Sequence, residues 1–189
     1  MPCRPSDLVR MVLVSMLMCI ISRSQGANVL ATFKSRTQGF ALQYPRSWYP
    51  QIVSDLFSIV NFPPSSAIRG EGLAEHGAGI HVLSSSQAIR DPQKVLRNLD
   101  ELVAIVTLHQ KIVGKRTLDL RDGDRTLRVL ETKSTCCNPT QESIDWYFQI
   151  DGHMFVATLY YWEGEPKLDS LRKTLKNIVL SLKVVPRSG

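Results

Sequence analysis

The chain of 189 residues contains none of the short motifs that announce a catalytic centre. It has no Gly-x-Ser-x-Gly nucleophile elbow, no His-Glu-x-x-His zinc helix and no phosphate-binding loop. Gly77-Ala78-Gly79 opens like a dinucleotide fingerprint, but Val82 stands where the third glycine belongs and no strand–turn–helix pattern follows. Histidine is scarce. Only His76 and His81, with Glu75 beside them, are close in sequence, while His109 and His153 stand alone. A metal centre needs three or four convergent ligands, so no metal site, no cofactor site and no nucleophile–base pair can be assembled, and a non-enzyme is expected. A strong charge bias is missing too. Twenty-three Lys and Arg against 17 Asp and Glu leave +6, short of the footprint of a nucleic-acid-binding domain.

No apolar run reaches the roughly 20 residues that a membrane-spanning helix needs. The longest candidate, Met11 to Ile21, follows Arg4 and Arg10 and exits into Ser22-Arg23-Ser24-Gln25-Gly26-Ala27. A basic flank, a short apolar centre and a small-residue exit form the pattern of a secretory signal peptide. The expected organisation is therefore a signal peptide over residues 1–26, cleaved after Gly26, and a single domain over residues 27–189, secreted or periplasmic. An uncleaved N-terminal anchor is the alternative. Met18 stands before Cys19 where lipidation requires a small residue, which argues against a lipid anchor there.

What is present is alternation. Val29 to Lys34 and Gly39 to Tyr44 read as strands, the second placing Phe40, Leu42 and Tyr44 on one face. Leu56 to Phe62 and Gly79 to Ser84 are further strands, separated by a Gly- and Ser-rich loop over Ser65 to His76. Asp91 and Pro92 suit a helix N-cap and first turn, and Val95, Leu96, Leu99, Leu102, Val103 and Val106 recur at helical spacing. A meander follows: Lys111 to Leu120, Arg125 to Thr135, Glu142 to Ile150 and Met154 to Trp162, with turn signals at Asp122-Gly123-Asp124 and Asp151-Gly152. The last strand is apolar on both faces and calls for cover on both sides. Leu168, Leu171, Leu175, Ile178, Val179 and Leu182 mark a closing helix, whose Lys167, Arg172, Lys173 and Lys176 are placed opposite the apolar stripe.

Three features carry possible chemistry. Once residues 1–26 are removed, the adjacent Cys136 and Cys137 are the remaining thiols. Neighbouring α-carbons lie about 3.8 Å apart, short of the usual disulfide range, so a vicinal bridge between them is strained and reducible; an intermolecular bond and two inert thiols are the alternatives. Trp48, Trp146, Tyr147, Tyr160, Tyr161 and Trp162 read mainly as core, with Tyr147 and Tyr161 the candidates for an exposed interaction surface. The basic side chains Lys167, Arg172, Lys173 and Lys176 extend that surface toward an anionic lipid or an acidic partner.

The block Gly39-Phe40-Ala41-Leu42-Gln43-Tyr44-Pro45-Arg46-Ser47-Trp48, followed by the meander, the Asp-Gly hairpin and the terminal amphipathic helix, resembles the PsbP-like family. That group embraces the photosystem II extrinsic subunit, the Mog proteins and LpqN-like exported proteins. The resemblance spans about Val29 to Val184 and implies an α+β chain built as an α/β/α sandwich around a mainly antiparallel sheet, with non-catalytic roles. Two functions follow as expectations. One is an exported interaction domain that docks onto an unknown protein partner or an envelope surface. The other is a carrier for a small apolar or lipid-like ligand.

Overall fold

The structure is a computed structural model and describes residues 29–35, 37–53, 56–66, 73–74, 77–88, 96–108, 110–135 and 141–186. The signal-peptide segment, the Asp91-Pro92 start, His76, His109, and Cys136 and Cys137 lie outside the described residues. Among the described residues, ten strands and three α-helices follow one another: β1 Leu30–Ser35, β2 Phe40–Pro45, β3 Tyr49–Val53, β4 Leu56–Val60, β5 Ala78–Ser84, α1 Ser85–Ala88, α2 Leu99–Val106, β6 Lys111–Asp122, β7 Arg125–Thr135, β8 Gln141–Ile150, β9 His153–Trp162, α3 Leu168–Ser181 and β10 Lys183–Val184. The result is an α+β fold.

Seven strands form one antiparallel sheet in the order β3-β4-β5-β9-β8-β7-β6. The β6-to-β9 run is a meander because each connection is short. Asp151 at φ 49 and Gly152 at φ 78 occupy the left-handed region, the backbone that a two-residue hairpin turn of matching twist requires. A second, three-stranded sheet, β1-β2-β10, joins the beginning of the described chain to its end. Strand β3 was not foreseen. It contains Pro50, which removes a ladder donor, and it sits at the sheet edge, where that loss is tolerated.

Strand alternation divides β9 between two apolar clusters. Phe155, Ala157, Leu159 and Tyr161 point to one face, where Leu171, Leu175, Ile178 and Val179 of α3 and Phe40 and Leu42 of β2 cover them. Val156 points to the other, where it packs with Tyr147 of β8 and with Leu102 and Val103 of α2. Further along that second face, Tyr160 and Trp162 pack against Val60, Phe62, Leu73 and Ala74. Each fully buried Leu, Ile or Phe contributes about 1.5–3 kcal/mol of transfer free energy, so the α3 face is the main source of stability.

Helix α2 is shorter than its periodicity predicts. Leu96–Asn98 are not helical; Asn98 is the N-cap, its side chain accepting from the Glu101 backbone N–H, while Glu101 Oε2 accepts from the Arg97 N–H. The apolar spacing of Leu96 therefore continues beyond the helix that Leu99, Leu102 and Val103 belong to.

Gly77 and Gly79 are packing residues. A Cβ on Gly79 would meet the Tyr160 ring, and one on Gly77 would meet the Phe62 ring. The two glycines let aromatic rings approach the backbone closely, which explains the pair that imitates a nucleotide fingerprint.

Candidate functional site

The expected interaction surface divides when its residues are placed. Tyr147 and Tyr161 are fully buried, which corrects the expectation that they are exposed. Tyr147 lies beneath α2 and Tyr161 beneath α3. In strands that carry cover on both faces, neither phase of the alternation reaches solvent. Burial, and then the nearby negative charges of Asp145 and Glu142 respectively, push both phenols up.

Arg172 is drawn inward as well. It lies one helical turn from both Leu168 and Leu175, so it borders the apolar stripe rather than opposing it. Its guanidinium donates to Glu131 at 3.0 and 3.2 Å. Arg116 Nε and Trp146 Nε1 each donate to the same carboxylate at 2.7 Å. Burial alone would push the Glu131 carboxyl up, but these donors outweigh it and hold the group below its usual value. The sequence signal was available: Leu127, Val129 and Glu131 share one phase of β7, so a carboxylate occupies an inward position.

On the opposite face, the registers align Ser58, His81, Thr158, Asp145 and Thr132 in one row across five strands. Asp145 accepts from Thr158 at 2.7 Å and from Ser143 at 3.3 Å. Burial pushes its carboxyl up, with hydrogen bonds from Thr158, Ser143 and Thr132 opposing. His81 Nε2 lies 3.0 Å from the Tyr160 hydroxyl, and burial brings the imidazole down to about 4. The row contains Ser, His and Asp but not their catalytic order. Thr158 separates His81 from Asp145, and the imidazole engages a phenol, so no oriented nucleophile–base relay results.

Two exposed surfaces stand out among the described residues. The first is the outer edge of β6, the last strand of the large sheet, which no described strand pairs. Lys111 to Thr117 are exposed in an unbroken row. Ile112 and Val113 are 41% and 52% exposed, and Leu108, just after α2, is 72% exposed. A register shift between Ile112 and Gly114 leaves Val113 without a cross-strand partner. The second surface is an open groove of about 670 Å³ between β2, the β6–β7 tip and the end of α3. Arg121, Arg125, Lys176 and Lys183 line it, with Asp122 the one acidic residue. Lys176, anticipated as part of a basic surface, is thus placed beside cations from three other elements. Lys173 on α3 and Lys167, its N-cap, are exposed outside the groove. Arg121 and Arg125 flank the Gly123-Asp124 turn on both sides, a pattern visible in the sequence but not singled out.

No family model matches the chain, and no curated protein matches it. Among solved structures, a protein from Bacteroides thetaiotaomicron is similar with a TM-score of 0.45 and 13% identity, over 81% of this chain; the chain spans 47% of that protein's length. The Ran-binding protein Mog1p of Saccharomyces cerevisiae is similar with a TM-score of 0.44 and 12% identity, over 85% of this chain and 97% of that one. Cyanobacterial PsbP (CyanoP) from Synechocystis is similar with a TM-score of 0.41 and 12% identity, over 85% of this chain and 95% of that one.

Proposed function

We propose that the chain is an exported, non-enzymatic docking domain of PsbP-like type, layered as an α/β/α sandwich, which takes up an extended segment of a protein partner along β6. The observation that carries this reading is the β6 edge itself. A free strand edge offers a row of backbone donors and acceptors, and such edges are ordinarily short or shielded. This one runs for 12 residues and sets three exposed apolar side chains, Leu108, Ile112 and Val113, beside it. Strand addition combines those two attractions: backbone hydrogen bonds supply affinity and side-chain contacts supply selectivity. Lys111, exposed on the same stretch, favours a segment that sets an acidic residue beside apolar ones. The basic flank and short apolar run at the N-terminus support export.

The carrier reading is the weaker one. An apolar ligand needs a concave apolar cavity of a few hundred Å³, whereas Phe57, Phe148, Phe155 and Tyr161 fill the interior beside α3.

A photo-crosslinking side chain at position 113, in protein produced in its native exporting host, tests the docking site. Crosslinks from position 113 to a single extended segment of one protein, absent from a control at position 173, are expected. An identical pattern at both positions, or none at either, would overturn the reading. Intact mass of the same material tests export, with a first residue near Ala27 expected and retained Met1 counting against it. A stoichiometric lipid in native mass spectra would favour the carrier instead.

A further inference from the structure

We infer that the groove between β2, the β6–β7 tip and the end of α3 binds a phosphorylated polyol. Its four cations come from separate parts of the chain: Arg121 and Arg125 from either side of a hairpin tip, Lys176 from α3 and Lys183 from β10. Against one carboxylate, Asp122, they leave three positive charges in excess around one concavity. Among the described residues, Arg121, Lys176 and Lys183 form no ion pair.

Neutralising the end of α3 does not account for this charge. The helix C-terminus carries roughly half a negative charge, and Arg125 already meets it, donating to the Leu180 carbonyl at 3.1 Å. The surplus is several-fold larger than the dipole and stays unspent until an anion arrives. Two guanidiniums present planar forks that match phosphate oxygens, and two ammonium groups add point charge.

The remaining wall identifies the rest of the ligand. Thr32, Gln43 and Asn177 are exposed there and offer a hydroxyl and two amides, the donors and acceptors that ligand hydroxyls require. The apolar lining is slight, because Leu42 and Leu180 are buried. An acyl chain finds no slot. A volume of about 670 Å³ exceeds what a bare phosphate fills and lies within the range of small-molecule sites. A free sugar phosphate and the headgroup of a phosphoinositide share this chemistry.

The experiment separates those two sources. The full chain is titrated calorimetrically with inositol trisphosphate, and in parallel co-sedimented with phosphatidylcholine vesicles containing phosphatidylinositol bisphosphate. Saturable binding of inositol trisphosphate is expected, weakening as salt rises because exposed charges are screened, with none for unphosphorylated inositol. The combined Arg121→Gln and Lys176→Gln variant, which removes no hydrogen bond seen in the fold, should bind about tenfold more weakly or worse with unchanged melting. Lys167→Gln with Lys173→Gln, outside the groove, should leave binding unaltered. Vesicle binding that inositol trisphosphate displaces assigns the headgroup as source; soluble binding without vesicle binding assigns the free compound. No binding of either probe, vesicle binding that the soluble probe fails to displace, or equal losses in both variant pairs would overturn the inference. Crosslinking at position 113 reports on the β6 edge independently, so either result can fail without the other.

Discussion

Two buried carboxylates on opposite faces of one sheet answer the same problem in opposite ways. Glu131 on β7 meets two guanidiniums and an indole N–H, and its carboxyl is held below the usual range. Asp145, on the neighbouring strand, meets hydroxyls, and burial pushes its carboxyl up. Both side chains are nearly inaccessible, so burial alone does not set the direction of the shift. The partner does. The α3 face favours the charged form because α3 and β6 each bring an arginine to it; on the α2 face Asp145 is met by hydroxyls instead.

That contrast is open to test, and the largest effect is expected at Glu131. Glu131→Ala leaves Arg116, Arg172 and the Trp146 N–H without their acceptor and should cost about 3 kcal/mol in urea denaturation. Arg116 and Arg172 retain some solvent access, which keeps the cost at the lower end for a broken buried pair. A loss under about 1 kcal/mol would show that the cluster is decorative.

On the other face, His81 should make stability fall in acid. Its folded value, about 4, lies below the ordinary 6.5, so between these pH values the unfolded chain binds a proton that the folded chain refuses. Stability is unaffected by this group above pH 6.5 and declines as pH drops toward 4, by up to roughly 3 kcal/mol. Asp145 and Glu131 also differ in proton affinity from the unfolded chain, so the informative quantity is the difference between wild type and His81→Gln. A pH-independent difference would place the imidazole in water.

Gly79→Ala should cost about 2 kcal/mol, because its methyl group would meet the Tyr160 ring, and Tyr160→Ala should relieve most of that added cost in a double-mutant cycle. Additive losses would disprove the contact. The smallest change is expected for Asp145→Asn. It preserves shape and hydroxyl partners while removing a charge that burial disfavours, and should alter stability by less than about 1 kcal/mol near neutral pH. In wild type the raised carboxyl favours the folded chain in acid, and that contribution is lost as pH rises through its folded value. Asparagine should abolish this slope; a large destabilisation would mean that the ionised form has a cation partner.

The parts of the fold legible in the sequence are those governed by local rules. The β6-to-β9 meander could be read because side-chain alternation and the Asp-Gly turns fix strand ends within about two residues: Arg125–Thr135 is as expected, while β6 runs past Leu120 to Asp122. Phe40 and Leu42, expected on one strand face, and Trp146, expected in the core, are buried. What eluded the sequence depends on tertiary proximity. Tyr147 is hidden by α2, distant in the chain, and Tyr161 by α3 folding back over the sheet; β3 is paired by β4 despite Pro50, and the groove joins residues from both ends of the described chain. Arg172 is the instructive intermediate: helical geometry puts it at the stripe's border, but only the inward phase of Glu131 says which way it turns.

The small sheet has a consequence for when the molecule can fold. Strand β2 is gripped on one side by β1 and on the other by β10, and the Val185 N–H donates to the Gly39 carbonyl at 2.9 Å. This clasp ties an early segment to a late one, a contact of very long sequence separation. It cannot shut until synthesis has passed Val185. A nascent chain therefore lacks this clasp until that point, however much of the large sheet has already paired.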